Sequence, residues 1–360
     1  MIYDFLAMKL HVFNPEHDLA LASGIANFTA PHAGRALRAD LGFIPALWAD
    51  DGDAILVENQ AEAQRKYHRL IGVAKKERRD VQFVTKHDLR KLSLTGVEPW
   101  GWDLALRSQL LRHGVDEGLL PTVDGIGIIR ELSHRRHAAM LLDETDVLGT
   151  VGEACCCSSA DEIEEKLQLH PCTVLKAPWS SSGRGIRFVE GELTPSLRGW
   201  MTNIIRTQGG VMVEPYYPKV KDFAMEFYSD GQGNVSYLGL SLFHTVNGAY
   251  TGNILAHEEV KREMIIRNVS TDTLQQVQER IKVLTGAMYK GRYKGPFGID
   301  MMVVKGEETE RNLLHPCVEI NLRRTMGMVA HYLTSPDPTV RRLMRVTLEG
   351  RYKLRTRKLI

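Results

Sequence analysis

Two consecutive predicted strands near the end of the chain carry oxygen ligands where an apolar strand disfavours them. Asp300 interrupts the apolar run 297–304. Glu319 and Asn321 stand two residues apart at the end of the next strand, which is predicted over 313–320. Residues two apart share one face of a strand, so all three side chains face one space if the strands pair. Mg²⁺ takes oxygen ligands and bridges phosphates. The pattern predicts a metal site; the alternative is a pair of edge strands with solvated polar residues.

A lysine ends another predicted strand, 172–176, and a loop of small residues follows it. Lys176 suits a point charge against a phosphate. The loop offers backbone N–H groups, hydroxyls and an arginine to the same anion through Ser180, Ser181, Ser182, Gly183, Arg184 and Gly185. It lacks the Walker pattern, because Lys and Ser or Thr do not follow its last glycine. A mobile hairpin without a ligand is the alternative for this loop taken alone.

Length and charge limit the classes of protein to consider. A chain of 360 residues exceeds one ordinary hydrophobic core, so two or three domains are expected. The net charge of +2 gives no case for a nucleic-acid or membrane partner, and no apolar run approaches the roughly 20 residues of a membrane helix. The adjacent cysteines 155–157 alternate faces and cannot converge on one metal, so they are interpreted as small buried residues of an interior strand. This cysteine usage predicts a reduced, cytoplasmic location.

The order of predicted elements indicates an α/β chain. Strands at 10–13, 54–57 and 81–84 alternate with helices in the first third, and Asn14 is predicted to cap the first helix. One long helix is expected over 126–143. Antiparallel strands dominate later, with a hairpin turn at 230–234. A helix is expected at 338–348, followed by a solvated basic tail at 351–358.

Taken in order, these patches resemble the ATP-grasp superfamily, the fold of D-alanine–D-alanine ligase and biotin carboxylase, from about residue 129 to 324. Arg136 resembles a phosphate-facing basic residue that is usually lysine, and Lys176 resembles the second such residue. The loop 181–185 resembles the one that closes over the triphosphate. Leu322 departs from the family, which usually has proline there. The remaining matches are Glu214 with the adenine-accepting glutamate, Tyr216 in the hinge, Asp222 with the ribose contact, Asp300, Glu319 and Asn321 with the metal ligands, and Arg323 with the arginine that ends the asparagine motif.

The resemblance implies both an architecture and a reaction. It implies a Rossmann-like N-terminal domain at 1–130, a small lid at 131–213 and a metal-bearing α+β domain at 214–360, the last two forming a two-lobed ATP-grasp fold. ATP would convert a carboxylate into an acyl phosphate. Two Mg²⁺ ions are implied, with Mn²⁺ as an alternative metal. An amine or other nucleophile would then release phosphate. Lys176 and Arg323 would supply catalytic charge.

The small-molecule substrates, a carboxylic acid and an amine, are less constrained by the sequence. The first turn places Asn14, Glu16 and His17 where this type of fold meets its ligands, although an ordinary helix start is the alternative. His244 and Asn253 lie in a polar loop that is also compatible with plain solvation, and Arg324 could bind a carboxylate. A homodimer is compatible with the sequence. An ATP-binding sensor or scaffold without ligation, and a small-molecule kinase, remain alternative functions.

Overall fold

The computed structural model describes residues 8–170, 172–180, 185–246, 249–306 and 312–359. The chain divides into two compact units. Unit 1 comprises residues 1–130, 251–257 and 323–360, and unit 2 comprises 131–250 and 258–322. The predicted domain 214–360 is therefore divided, because its last 38 residues pack with the N-terminal segment.

The first part of the chain is richer in helices, and the middle part is richer in strands. The first segment contains β1 (Met8–Val12), α1 (His17–Ser23), α2 (His32–Leu41), β2 (Ala54–Leu56), α3 (Gln60–Ala74), β3 (Gln82–Val84), β4 (Leu94–Pro99), α4 (Leu104–Arg112), α5 (Val123–Leu132) and α6 (Arg136–Glu144). The middle segment contains β5 (Cys155–Cys157), α7 (Ala160–Leu169), β6 (Cys172–Lys176), β7 (Ile186–Glu190), α8 (Pro195–Gln208), β8 (Val211–Pro215), β9 (Lys219–Ser229), β10 (Val235–Ser241), β11 (Phe243–Val246) and β12 (Ala249–Leu255). The last segment contains α9 (Glu258–Ile266), α10 (Thr271–Tyr289), β13 (Gly295–Lys305), β14 (Asn312–Asn321), α11 (Met326–Leu333), β15 (Arg342–Glu349) and β16 (Arg351–Lys358).

Unit 1 is built on a parallel sheet in the order β3-β2-β1-β4. The strands alternate with helices, so their carboxyl ends meet at one edge, where α/β sheets bind ligands. The N-cap Asn59 accepts a hydrogen bond from Glu62 N–H at 2.9 Å and so fixes the start of α3. A core cluster of this unit joins Phe13 and Leu41 to Val329 and Met344, which is why the C-terminal segment belongs here.

Unit 2 contains two antiparallel four-stranded sheets, in the orders β5-β8-β6-β7 and β10-β9-β13-β14. The first carries Lys176 at the end of β6. The second carries the predicted metal ligands on β13 and β14, whose pairing was expected from the sequence and is confirmed. A polar turn at 305–308 is predicted from the sequence to join these two strands, and its residues 307 and 308 lie outside the described residues.

Two predicted helices are wrong in the structure. The helix expected over 126–143 is broken between α5 and α6, because Arg135 N–H donates to Pro178 O at 3.2 Å instead of continuing the helical ladder. Residues 342–349 form a strand rather than a helix. The basic segment expected as a solvated tail is its partner, β16, paired from Glu349↔Arg351 to Arg342↔Lys358. Non-local strand pairing outweighs local helix propensity here.

Two smaller expectations also need correction. Asn14 does not cap α1, whose N-cap is Glu16; its amide instead donates to Gly101 O at 2.8 Å and Asp103 Oδ2 at 3.0 Å. The cysteine strand β5 is at a sheet edge rather than inside, and Cys156 is exposed. Among the described residues, no helix combines the length and apolar character needed to cross a membrane.

Candidate functional site

A buried ion pair joins two neighbouring strands of the first sheet in unit 2. Lys176 ends β6, and its Nζ lies 2.5 Å from Glu214 Oε2 on β8. Both residues are buried. Removing one partner of such a pair leaves the other charge buried without a counter-charge. The pair is therefore costly to break unless a ligand replaces the lost partner. The sequence-predicted Lys176 and Glu214 are therefore brought together.

A second ion pair joins the segment between α5 and α6 to β14, the strand that carries Glu319. Arg135 Nη2 lies 2.7 Å from Glu319 Oε1. The same guanidinium donates to Ala177 O at 2.6 Å and to Ser180 Oγ at 2.8 Å. Arg135 is buried, so its charge is held in one position by three oxygen acceptors.

The predicted metal ligands share one patch of the β13–β14 pair. Asp300 is directly opposite Glu319, and Asn321 is directly opposite Gly298. Directly paired residues of antiparallel strands point to the same face, with Cβ atoms about 5 Å apart. Because Gly298 has no side chain, the Asn321 amide has room beside the two carboxylates.

This donor set fits Mg²⁺ by chemical type, since all three side chains present hard oxygens. Within the described residues, no three His, Cys, Asp or Glu side chains form a metal-holding group. The third member of the set predicted from the sequence is the amide of Asn321, which is not one of these residue types.

Arg136, predicted from the sequence to face a phosphate, pairs with a neighbouring carboxylate. Its Nη2 is 2.8 Å from Glu131 Oε1, and about half of its side chain is exposed. Glu131 also meets His137 and Arg292. Partial burial of Glu131 raises its pKa, but hydrogen bonds from Arg136 and His137 outweigh this and lower the pKa to about 2. The residue that reaches Glu319, a predicted metal ligand, is Arg135. The sequence analysis did not predict the helix break that precedes Arg135.

The base of the glycine loop is pinned to the end of β6. Ala177 N–H donates to Gly185 O at 2.8 Å. A Cβ on Gly185 would lie 2.4 Å from the Cβ of Ser180, so this close approach requires glycine. The rest of the predicted phosphate loop, Ser181, Ser182, Gly183 and Arg184, lies outside the described residues.

The remaining predicted nucleotide contacts are on or near the strands of unit 2. Asp222 Oδ2 accepts from Lys219 Nζ and from Thr245 Oγ1, both at 2.6 Å. Tyr216 is half-exposed, and its ring meets Phe188 edge-on with centroids 6.1 Å apart.

Sequence reasoning did not single out His315 on β14. This residue is buried, and neither ring nitrogen has a hydrogen-bond partner in the described part of the chain. Burial, together with the nearby charge of Lys176, lowers its pKa to about 3. His315 is therefore a neutral imidazole beside the Lys176–Glu214 pair.

In unit 1, Arg323, a predicted site residue, forms a bidentate ion pair with Asp18. Its Nε and Nη2 lie 2.8 and 2.7 Å from the two carboxylate oxygens. His17 Nδ1 lies 3.2 Å from the same carboxylate. Burial disfavours the charged carboxylate of Asp18, but Arg323 more than offsets this and holds the pKa well below its usual range. Asp18 was not predicted as a site residue; pairing with a residue 305 positions away leaves no local signal.

The other substrate candidates are distributed over both units. Asn14, Glu16 and His17 follow β1 in unit 1, where His17 Nε2 lies 3.1 Å from Trp102 O. The Arg324 guanidinium lies 4.6 Å from the Trp48 ring centroid, with Nη2 3.2 Å from Glu98 Oε2. Asn253 is buried on β12 in unit 1, whereas His244 is exposed in unit 2. The structure thus does not collect these residues into one cluster within a unit.

The chain combines a parallel α/β sheet with two antiparallel four-stranded sheets. We compared this arrangement with known proteins. No protein-family model and no curated protein matches the chain. Solved structures do match. Biotin carboxylase from Campylobacter jejuni, in a complex with β-γ-ATP, has a TM-score of 0.52 at 12% identity over 94% of this chain and 75% of that one.

The biotin carboxylase domain of 2-oxoglutarate carboxylase from Hydrogenobacter thermophilus has a TM-score of 0.51 at 14% identity, over 94% of this chain and 74% of that one. N5-carboxyaminoimidazole synthetase from Staphylococcus aureus, complexed with ADP, scores 0.49 at 10% identity, over 96% and 84%. The chain has the ATP-grasp fold, and the fold implied by the sequence resemblance is confirmed.

Proposed function

We propose that the chain is an ATP-dependent carboxylate–amine (or thiol) ligase. It would phosphorylate a carboxylate with ATP, and a nucleophile would attack the acyl phosphate, with release of ADP and phosphate. The observation that carries the proposal is the register of Asp300 opposite Glu319, with Asn321 on the same face. An all-oxygen set on a rigid strand pair is what Mg²⁺–ATP chemistry requires.

The proposed nucleotide site lies in unit 2. Lys176 would meet a phosphate when ATP binds, and Glu214 would then accept from the adenine amino group. Their present ion pair at 2.5 Å keeps both charges satisfied until that exchange. Asp222 would contact the ribose, and Tyr216 would lie along the hinge. The loop from Ser181 to Gly185 would cover the phosphates.

Asp300, Glu319 and Asn321 would hold Mg²⁺, or Mn²⁺ in its place, with two ions proposed. When bound, the metal would neutralise phosphate charge and orient the γ-phosphoryl group. Arg135 would orient Glu319 through their ion pair, and would add positive charge near the transferred group. Arg323, which lies in unit 1 and is held by Asp18, is proposed separately as a catalytic cation. These residues bind and position; phosphoryl transfer needs little covalent help from a protein.

Two similar structures support this choice. One is a biotin carboxylase with β-γ-ATP, and the other is a biotin carboxylase domain dimer with MgADP, ADP and bicarbonate. By analogy of fold we extend nucleotide and metal binding to this chain, and also propose a homodimer, which sedimentation would measure. Specific substrates do not follow from the fold.

The direct test removes the metal ligands without changing their shape. Asp300→Asn and Glu319→Gln should each weaken Mg²⁺-dependent ATP binding by at least about tenfold, because the amides lose the charge that holds the cation. The matched controls are the exposed Asp143→Asn and Glu263→Gln in the same unit. Calorimetry with and without Mg²⁺ measures the effect. Unchanged Mg²⁺-dependent affinity in Asp300→Asn and Glu319→Gln would overturn the metal assignment.

Labelled γ-phosphate distinguishes ligation from the alternatives. With an acid and an amine that are substrates, a ligase releases the label as inorganic phosphate. A kinase leaves it on the product, and a sensor releases no ADP. Label retained on a small molecule would sink the ligase proposal while leaving ATP binding intact.

A further inference from the structure

The edge strand β5 in unit 2 consists of three consecutive cysteines. All three residues pair with β8, from Cys155↔Val213 to Cys157↔Val211. Because β5 is the outer strand in the order β5-β8-β6-β7, this ladder is the strand pairing that the described residues give it. A change in the geometry of the cysteines is therefore a change in the whole strand.

Two of the three thiols are in contact. Cys155 and Cys157 are two residues apart, so their side chains lie on the same face of β5. Their Sγ atoms are 3.8 Å apart, and the Cys155 thiol also lies 3.7 Å from Val213 O. Cys156 lies on the opposite face and is exposed. A bond between the sulfurs of Cys155 and Cys157 would join atoms that already touch.

The two thiols differ in exposure and in acidity. Cys155 is partly exposed, whereas Cys157 is buried in a core cluster with Ile163 and Val189. A hydrogen bond from Cys157, helped by the charge of Lys166, lowers the pKa of Cys155 to about 7 against the opposing effect of burial. The thiolate is the reactive form of a cysteine. Cys155 is thus the thiol that can react with a solute, and a second thiol lies beside it.

We propose that Cys155 and Cys157 form a peroxide-sensitive thiol pair, which closes to a disulfide and releases β5 from β8. The Cys155 thiolate attacks one oxygen of hydrogen peroxide and becomes a sulfenic acid. The O–O bond breaks, and the leaving hydroxide takes up the proton that the thiol released, which gives water. The Cys157 thiol then attacks the sulfenic sulfur, with formation of the S–S bond and loss of a second water. Two thiols are oxidised, and one peroxide is reduced to two waters.

A disulfide does not fit an extended strand without distortion. Two residues of a strand span about 6.6 Å, at a rise of about 3.3 Å each, whereas bridged cysteines usually have Cα atoms about 5.5–6 Å apart. Closing the bond therefore shortens β5, and its ladder with β8 is lost. A strained disulfide is also easily reduced, which makes the change reversible. Since β8 carries Glu214, oxidation loosens the strand next to a proposed nucleotide contact.

The first experiment locates the oxidised thiols of the full chain. The protein is treated with a low molar excess of hydrogen peroxide, the remaining free thiols are blocked with N-ethylmaleimide in urea, and the peptides are analysed by mass spectrometry. We expect Cys156, Cys172 and Cys317 to carry the label, and Cys155 and Cys157 to be joined without it. A disulfide that includes Cys156 or Cys172, or oxidation that ends at a sulfinic acid on a single cysteine, would overturn the proposal.

Serine variants separate the pair from the neighbouring thiols. Cys155→Ser and Cys157→Ser should each abolish the disulfide, whereas Cys156→Ser, the matched control in the same strand, should form it at the wild-type rate. The exposed Cys172→Ser is a second control in the same unit. Circular dichroism checks the fold of each variant, and Cys155→Ser tests the pair without changing a buried side chain. Equal loss of the disulfide in Cys155→Ser and Cys156→Ser would contradict the assignment.

Hydrogen exchange measures the release of β5. In the oxidised protein, the amide hydrogens that join residues 211–213 to β5 should exchange at least about tenfold faster than in the reduced protein, because the strand opens locally at lower cost. Reduced glutathione should then restore this protection and all five free thiols. Unchanged protection in a fully bridged protein, or a disulfide that glutathione does not reduce, would overturn the proposal. These measurements do not involve ATP, so they are independent of the proposed ligase activity.

Discussion

Arg135 and Arg136 are consecutive residues whose guanidinium groups serve different carboxylates. Arg135 is buried against Glu319, and Arg136 is half-exposed against Glu131. Buried and exposed ion pairs differ in energy, because only the buried partner is left unsolvated when its counter-charge is removed. The two positions are therefore a matched pair for testing the site.

We expect Arg135→Met to reduce Mg²⁺-dependent ATP binding at least about tenfold and to lower the free energy of unfolding by about 3 kcal/mol. Arg136→Met should change the free energy of unfolding by less than about 1 kcal/mol and leave ATP binding intact. Calorimetry and urea unfolding measure these effects. Equal losses in both variants would contradict the placement of Arg135 at the site.

We expect the buried His315 to make the stability of the fold depend on pH. Its pKa is lowered to about 3 by burial and by Lys176, so between pH 6.5 and 3 the unfolded chain binds the proton and the folded chain does not. Its contribution to stability is present above pH 6.5 and is lost progressively as pH falls towards 3. From pH 6.5 to 4, we expect His315→Gln to lose about 3 kcal/mol less unfolding free energy than the wild type.

Urea unfolding at several pH values checks this expectation. The exposed His32→Gln is the control, and it should follow the wild-type curve. A His315→Gln variant with the same pH slope as the wild type would show that the buried imidazole does not cause the acid sensitivity.

Residue chemistry explains which site positions sequence could predict. Lys176, Asp300 and Glu319 stand out because each places a charge in an apolar strand or at its end, which is a local anomaly. Arg135 and Asp18 are identified only by their partners, Glu319 and Arg323, which lie 184 and 305 residues away. No pattern within a short window contains that information.

At the scale of the element, the β15–β16 hairpin shows the same limit. The segment 338–348 was predicted to be helical. Over so few positions its apolar residues fit the period of a strand as well as that of a helix. The strand form is decided by pairing of Met344 with the distant Asn253 and by the turn at Gly350, whose φ is +70°. Local propensity includes neither the pairing with a distant strand nor the geometry of the turn.

Gly350 offers a clean test of this turn, because a Cβ there meets no atom within 4 Å. Gly350→Ala should lower the free energy of unfolding by about 1 kcal/mol, since alanine resists a positive φ. Gly72→Ala, in open space on α3, should instead raise the free energy of unfolding by up to about 1 kcal/mol. Thermal unfolding of both variants measures whether each substitution raises or lowers stability. A Gly350→Ala variant more stable than the wild type would contradict the expectation that this turn requires glycine.

At the scale of the whole molecule, the ATP-grasp fold was predictable because its motifs follow one another in a fixed order along the chain. The composition of the units was not. Residues 323–360 pack with the N-terminal segment through contacts such as Tyr352 N–H to Asp40 Oδ2 at 2.8 Å. Such long-range packing depends on the finished fold rather than on any local pattern.

The assembly of unit 1 from three stretches of chain has a consequence for biosynthesis. Asp18 leaves the ribosome 305 residues before Arg323, a delay of roughly 15–60 s at 5–20 residues per second. During that interval the parallel sheet lacks α11, β15 and β16, which complete its surroundings, while every residue of unit 2 is translated. The unit whose translation begins first is thus the last to acquire its full core, so the nascent N-terminal segment exposes apolar surface until the chain is complete.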